Sequence, residues 1–127
     1  MTTKEIANRL VELCREAKYE QAQTELYSDN IVSIEAEGSP NRITEGIEAV
    51  GKKGMEFDAM VEDVKDNEVS DPVIGGNFFS ISMNSKMKFK GNPVYFDMNE
   101  ICLFEVNDGK IIQEQFFYTP IPELMPQ

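Results

Sequence analysis

Two long alternating segments, Val94–Val106 and Lys110–Tyr118, are joined by Asn107-Asp108-Gly109. Asn, Asp and Gly tolerate the left-handed backbone of a tight turn, so this pattern is a strong local signal for an antiparallel hairpin. The segment before it has the same period. Phe79, Ile81, Met83, Met87 and Phe89 fall on one face, and Ser80, Ser82, Asn84, Lys86 and Lys88 on the other, with only Ser85 interrupting the apolar side. Glu68–Ile74 is a shorter strand broken by Asp71-Pro72, as at an edge or a bulge. Four consecutive strands joined by tight turns therefore fill the second half of the chain.

The first half reads as helical with one strand set in it. Thr2-Thr3-Lys4-Glu5 is a capping box, and Ile6, Leu10, Leu13, Cys14 and Ala17 then recur at helical spacing. After a break at Lys18, a short second helix is predicted with Tyr19, Ala22 and Leu26 inward. Ile31–Glu37 reads as a strand ended by Gly38-Ser39-Pro40-Asn41. A third helix is predicted from an N-cap at Thr44, its apolar stripe running Ile43, Ile47, Val50, Gly54, Phe57, Val61 and Val64. The order predicts a single α+β domain over residues 1–127, with three helices packed on one face of a curved, mostly antiparallel sheet. The tail at 119–127 carries three prolines, which exclude regular structure there.

Charge and composition exclude several functions. The net charge of -11, from 23 acids against 12 bases, repels phosphate backbones and anionic membranes. No apolar run reaches the ~20 residues a membrane helix needs, and no export signal is evident, so a cytoplasmic protein with reduced Cys14 and Cys102 is expected. Histidine is absent. That removes Ser-His-Asp and Cys-His catalysis and every His-ligated metal site, so no metal or cofactor is expected. Acid-base chemistry is left to carboxylates, Tyr, Lys or Cys.

One carboxylate stands out. On the strand Val94–Val106, Glu100 shares a face with Val94, Phe96, Met98, Cys102, Phe104 and Val106. A carboxylate among such neighbours either finds a partner or takes up a proton. The turn decides what lies opposite. A two-residue Asp-Gly turn pairs Phe104 with Gln113 and Glu100 with Phe117. A three-residue loop pairs Phe104 with Ile112, Cys102 with Glu114 and Glu100 with Phe116. The second keeps apolar opposite apolar and is preferred, and it sets Glu114 diagonal to Glu100. Neighbouring carboxylates with separated pKa values suit acid-base work, whereas a lone Glu where a sheet bends into water is the plainer alternative. Met55, Met60, Met83, Met87 and Met98 supply either adaptable apolar pocket surface or plain core filling, and Tyr27 and Tyr118 supply hydroxyls.

"YEQAQTELYSDNIVSIEAEGSP", "EGIEAVGKKGMEF" and "LFEVNDGKIIQEQFFY" together resemble the SnoaL-like proteins of the nuclear transport factor 2-like superfamily. The resemblance implies a conical α+β fold with an internal pocket and a homodimer formed through the outer sheet surface. Aligning Tyr27-Ser28-Asp29-Asn30 with the ketosteroid isomerase segment that precedes its catalytic base places the base at Glu35. The second acid of that enzyme falls near Cys102, two residues from Glu100. Its Tyr on the first helix has no counterpart between Ile6 and Ala17, and the His of the cyclases and dehydratases is missing. The resemblance thus implies a small hydrophobic ligand in a pocket lined by Tyr27, Phe57, Met60, Met83, Met98, Cys102, Phe116 and Tyr118. Glu35, Glu100 and Glu114 would carry isomerase, cyclase or dehydratase chemistry. The other reading of the same fold is a non-catalytic dimeric binding module. The two differ on the sidedness of Ile31–Glu37. Plain alternation sends Val32 and Ile34 to the core, while the resemblance turns Glu35 into the pocket and leaves Glu37 at the rim.

Overall fold

A computed structural model describes residues 1–124; the last three residues of the tail lie outside the described residues. The elements are α1 (Thr3–Arg15), α2 (Tyr19–Leu26), β1 (Tyr27–Ile34), β2 (Ile43–Glu45), α3 (Ile47–Met60), β3 (Val61–Val69), β4 (Val73–Gly75), β5 (Phe78–Phe89), β6 (Tyr95–Asn107) and β7 (Lys110–Phe117). The sheet runs β2-β1-β7-β6-β5-β3, with β4 added on β5. All pairings are antiparallel except β1 with β7. Three helices on one mostly antiparallel sheet form the expected α+β architecture.

The N-terminal helix begins as its sequence dictates. Thr2 Oγ1 accepts from the Glu5 amide at 3.2 Å, and the Glu5 carboxylate accepts from the Thr2 amide at 2.9 Å, which satisfies two free donors of the first turn. Ile6, Ala7, Leu10, Val11, Leu13 and Cys14 are buried on its inner face. Ala17 is not part of that stripe. It lies past the helix end at φ 57° and is exposed. Arg15 fastens the helix to the far edge of the sheet, donating to the Val69 carbonyl at 2.9 and 3.2 Å.

Three boundaries differ from the sequence reading. Thr44 is not a helix cap: it pairs with Ser33 across the β1–β2 ladder, and α3 starts after Gly46, whose φ of 90° suits glycine. The third helix also stops at Met60, and Val61 and Val64 belong to β3, antiparallel to β5. That strand lies at the sheet edge and is exposed along most of its length, so it carries charges instead of an alternating apolar face. Finally, β1 runs from Tyr27 to Ile34, directly from the end of α2, without the predicted extension to Glu37. In the tail, Pro122–Leu124 makes one 3₁₀ turn.

The β6–β7 hairpin takes neither predicted register. Asn107 pairs with Lys110 around a two-residue turn with Asp108 at φ 50° and Gly109 at φ 73°. Val106 pairs with Ile111, but Glu105 pairs with Gln113, so Ile112 is an extra residue on β7. This bulge moves the ladder one step from the two-residue expectation and two steps from the three-residue one. Phe104 lies opposite Glu114, Cys102 opposite Phe116 and Ile101 opposite Phe117. Continued one step, the register brings Tyr118, in place of Phe116 or Phe117, level with Glu100.

The core lies between the helices and the inner sheet face. It joins Ile6, Leu10, Leu13, Leu26, Ile31, Val50, Phe79, Ile81, Cys102, Phe104 and Ile111. The Phe79 and Phe104 rings stack at 4.8 Å across β5 and β6. Ile31 and Ser33 are fully buried, whereas Val32 and Ile34 are half-buried on the other face. The face that bears Glu35 therefore turns inward, against plain alternation.

Candidate functional site

Three carboxylates come to the inner face, Glu100 and Glu114 from within β6 and β7 and Glu35 from just past the end of β1, and each has a different environment. Glu114 is the most enclosed, 4% exposed on β7. The parallel pairing sets it beside Ser33, whose Oγ donates to Glu114 Oε2 at 2.7 Å. The Tyr27 hydroxyl, delivered where α2 passes into β1, donates to Glu114 Oε1 through a short hydrogen bond. Burial pushes Glu114 upward from the usual carboxylate range, against the pull of these two donors and of nearby Lys53. Tyr27 is held well above its ordinary value by burial and by the Glu114 charge.

Glu35 follows the end of β1, its side chain 22% exposed. Lys53, reaching down from α3, donates to Glu35 Oε1 at 2.9 Å and to Ser33 Oγ at 2.8 Å. Tyr118 Oη donates to Glu35 Oε2 at 3.1 Å and also lies 3.1 Å from Ser39 Oγ. A continuous chain of hydrogen bonds thus runs Tyr27–Glu114–Ser33–Lys53–Glu35–Tyr118–Ser39. One lysine serves both carboxylates, one directly and one through a serine.

Glu100 stands outside this chain. It pairs with Met83 across the β5–β6 ladder, and among the described residues its one side-chain donor is the Cys102 thiol at 3.6 Å. Burial raises its pKa to about 7, and the charges of Glu35 and Glu114 add to the rise. A carboxyl so placed gives and takes a proton near neutral pH. The two thiols are unsuited to nucleophilic attack: burial pushes Cys14 up to about 12 and Cys102 higher still.

A cleft of about 400 Å³ opens at this end of the sheet, lined by Glu35, Ala36, Glu37, Arg42, Gln115, Phe116, Phe117, Tyr118, Thr119 and Pro120. Of the residues singled out from sequence, Glu35, Phe116 and Tyr118 line it. Glu114, Tyr27 and Cys102 are buried behind it, and Glu100, Met83 and Met98 lie half-buried on the sheet. Phe57 and Met60 are exposed on α3, where Phe57 meets Phe89 edge-on at 5.9 Å. Ser33, Ser39 and Lys53 were not predicted. Lys53 looks in the sequence like one of a solvated Lys52-Lys53 pair, and only the apolar positions around it on α3 could have marked it as inward. Among the described residues, no group of three or more carboxylates and thiols is placed to hold a metal ion, and no helix is long and apolar enough to cross a membrane.

Three helices on one face of a mostly antiparallel sheet, with carboxylates on its inner side, define an α+β fold of the cystatin-like kind. Residues 1–118 match the SnoaL-like domain family, and the chain belongs to it. A Mesorhizobium loti protein described as a SnoaL-like polyketide cyclase superposes with a TM-score of 0.87 at 30% identity, over 93% of this chain and 100% of that one. A Xanthomonas campestris protein with a cystatin-like fold superposes at 0.74 and 16% identity, over 94% and 92%. A Catenulispora acidiphila protein of ketosteroid isomerase-like fold, in complex with trimethylamine, superposes at 0.65 and 21% identity, over 77% and 72%. The last two demonstrate the fold alone. No curated protein matches the sequence.

Proposed function

We propose that this SnoaL-like protein binds a small, mostly apolar metabolite at the cleft and acts on it by carboxylate acid-base chemistry without a cofactor. The reaction class is a proton shift, cyclisation or dehydration next to a carbonyl. The observation that carries the reading is Glu100, a carboxyl on the apolar inner face whose one side-chain donor among the described residues is a thiol, and which lies one position past the last β6–β7 pair, Ile101 with Phe117, where Tyr118 follows. With its pKa raised to about 7 by burial, it is the acid. Glu35 at the cleft wall is the base, aligned by Lys53 and Tyr118. Glu114 tunes Glu35 through Ser33 and Lys53, and Glu100 through its charge alone. The two free cysteines fit a reducing, cytoplasmic setting.

Carboxyl-resolved NMR titration tests this directly. Glu100 should titrate near pH 7, and Glu100→Gln and Glu35→Gln should each abolish turnover of any accepted ligand. Normal carboxyl behaviour at Glu100, or full turnover in both variants, sinks the assignment.

A second observation favours a dimeric role, with or without catalysis. On the outer sheet face Ile101 and Phe117 lie opposite each other, 55% and 48% exposed. Apolar pairs left open in this way mark association surfaces. We read this face as a homodimer interface. Ile101→Glu should shift the protein from dimer to monomer in sedimentation velocity, and a monomeric wild type excludes the interface.

A further inference from the structure

We propose that Tyr118 is the residue through which the cleft recognises its ligand, and that it takes a neutral oxygen, a hydroxyl or a carbonyl, on an otherwise apolar molecule. The inference rests on the cleft being a ligand site, as proposed above.

Tyr118 has one proton, and it is directed at Glu35 Oε2. The 3.1 Å contact with Ser39 must then be donated by the serine. Glu35 has a donor on each oxygen, Tyr118 on one and Lys53 on the other. When a ligand oxygen enters, Tyr118 can turn its proton from Glu35 to the ligand, and Glu35 keeps the compensating charge of Lys53. The exchange costs no unpaired charge, which is the main penalty in a half-buried site.

Charged ligands do not fit this arithmetic. A carboxylate at Tyr118 stands beside Glu35 and Glu37, with Arg42 as the one opposing charge among the residues lining the cleft. An ammonium brings a second cation to a carboxylate that Lys53 already neutralises. The rest of the lining suits an apolar body: Phe116, Pro120 and the Tyr118 ring itself. The bulge at Ile112 is what places the tyrosine hydroxyl here, since either unbulged register would put a phenylalanine beside Glu100.

The test uses one bicyclic skeleton with four head groups: 2-tetralone, 2-tetralol, tetralin-2-carboxylate and 2-aminotetralin. Each is titrated into the full ¹⁵N-labelled chain while the amides of Gln115 to Thr119 are followed. The ketone and alcohol should bind at least roughly tenfold tighter than the two charged compounds. Tyr118→Phe should weaken the ketone and alcohol by roughly tenfold, the loss of one hydrogen bond, with an unchanged melting temperature. Ser39→Ala should weaken them by a smaller factor, about two- to threefold, and keeps the test decisive should Tyr118→Phe melt early. Tighter binding of the carboxylate or the amine overturns the neutral-oxygen assignment. Ketone affinity unaltered by either substitution overturns the role of Tyr118 and leaves the cleft a ligand site. If no compound moves these amides, the cleft reading falls as well.

Discussion

Glu114 and Glu100 lie on the same sheet face, on neighbouring strands, and burial pushes both in the same direction. They differ in what surrounds them. Glu114 is met by two hydroxyl donors, and a lysine lies one serine away. Glu100 is met by a thiol. A carboxyl whose lone pairs are filled is part of the framework, and moving its proton disturbs everything attached to it. A carboxyl left with one weak donor can change protonation without breaking strong bonds. The β1–β7 side of the inner face is therefore built to stay as it is, and the β6 side to change.

The largest effect should come from breaking the filled side. Glu114→Ala removes the acceptor of two buried hydroxyls and should cost about 4 kcal/mol in urea unfolding. A loss below that of Glu100→Ala would erase the contrast. The second effect is pH-dependent. The folded pKa of Glu100, about 7, exceeds its ordinary 4.5, so the folded state holds the extra proton. The associated stability is full below about pH 4.5 and is lost as pH rises through 7, a change of about 3 kcal/mol. Glu100→Gln should remove that slope between pH 5 and 8, read as melting temperature against pH; an equally sloped variant would locate the pH response elsewhere. Third, Lys53→Met should cost about 1–2 kcal/mol and raise the Glu114 titration midpoint further, because a nearby cation is gone. An unmoved midpoint would show that the lysine serves Glu35 alone. The smallest effect sets the baseline: Glu37→Gln, exposed at the rim, should leave stability within about 0.5 kcal/mol.

Local rules made much of this readable from residues alone. The capping box at Thr2 and Glu5, the alternation of Phe79, Ile81 and Met83, and the isolation of Glu100 on an apolar face are all decided within a few positions. Other features are decided by partners far along the chain. Thr44 has the chemistry of a helix cap, but a ladder with Ser33 claims it. Val61–Val69 looks like continued helix because an edge strand carries charge where an inner one would alternate. The bulge at Ile112 has no signature in the turn itself, so Glu114 faces Phe104 and not the predicted Cys102. The inward face of Glu35 needed the parallel pairing with β7, since Ser33 is a polar residue buried for the sake of Glu114. Sequence pattern alone treats such a serine as a solvent-side residue.

The parallel pairing of β1 with β7 also has a consequence in time. Tyr27 and Glu114 lie 87 residues apart, so they meet only by closing nearly the whole chain. Contacts of that span form late and slowly, because the entropy of closure precedes their reward. A growing chain displays Tyr27, Ser33 and Lys53 long before Lys110–Phe117 is synthesised to receive them. Until then its first strand carries an open edge and a half-finished polar network. The last strand completes the carboxylate row and caps that edge in one event, so acquisition of the site and escape from aggregation become the same step.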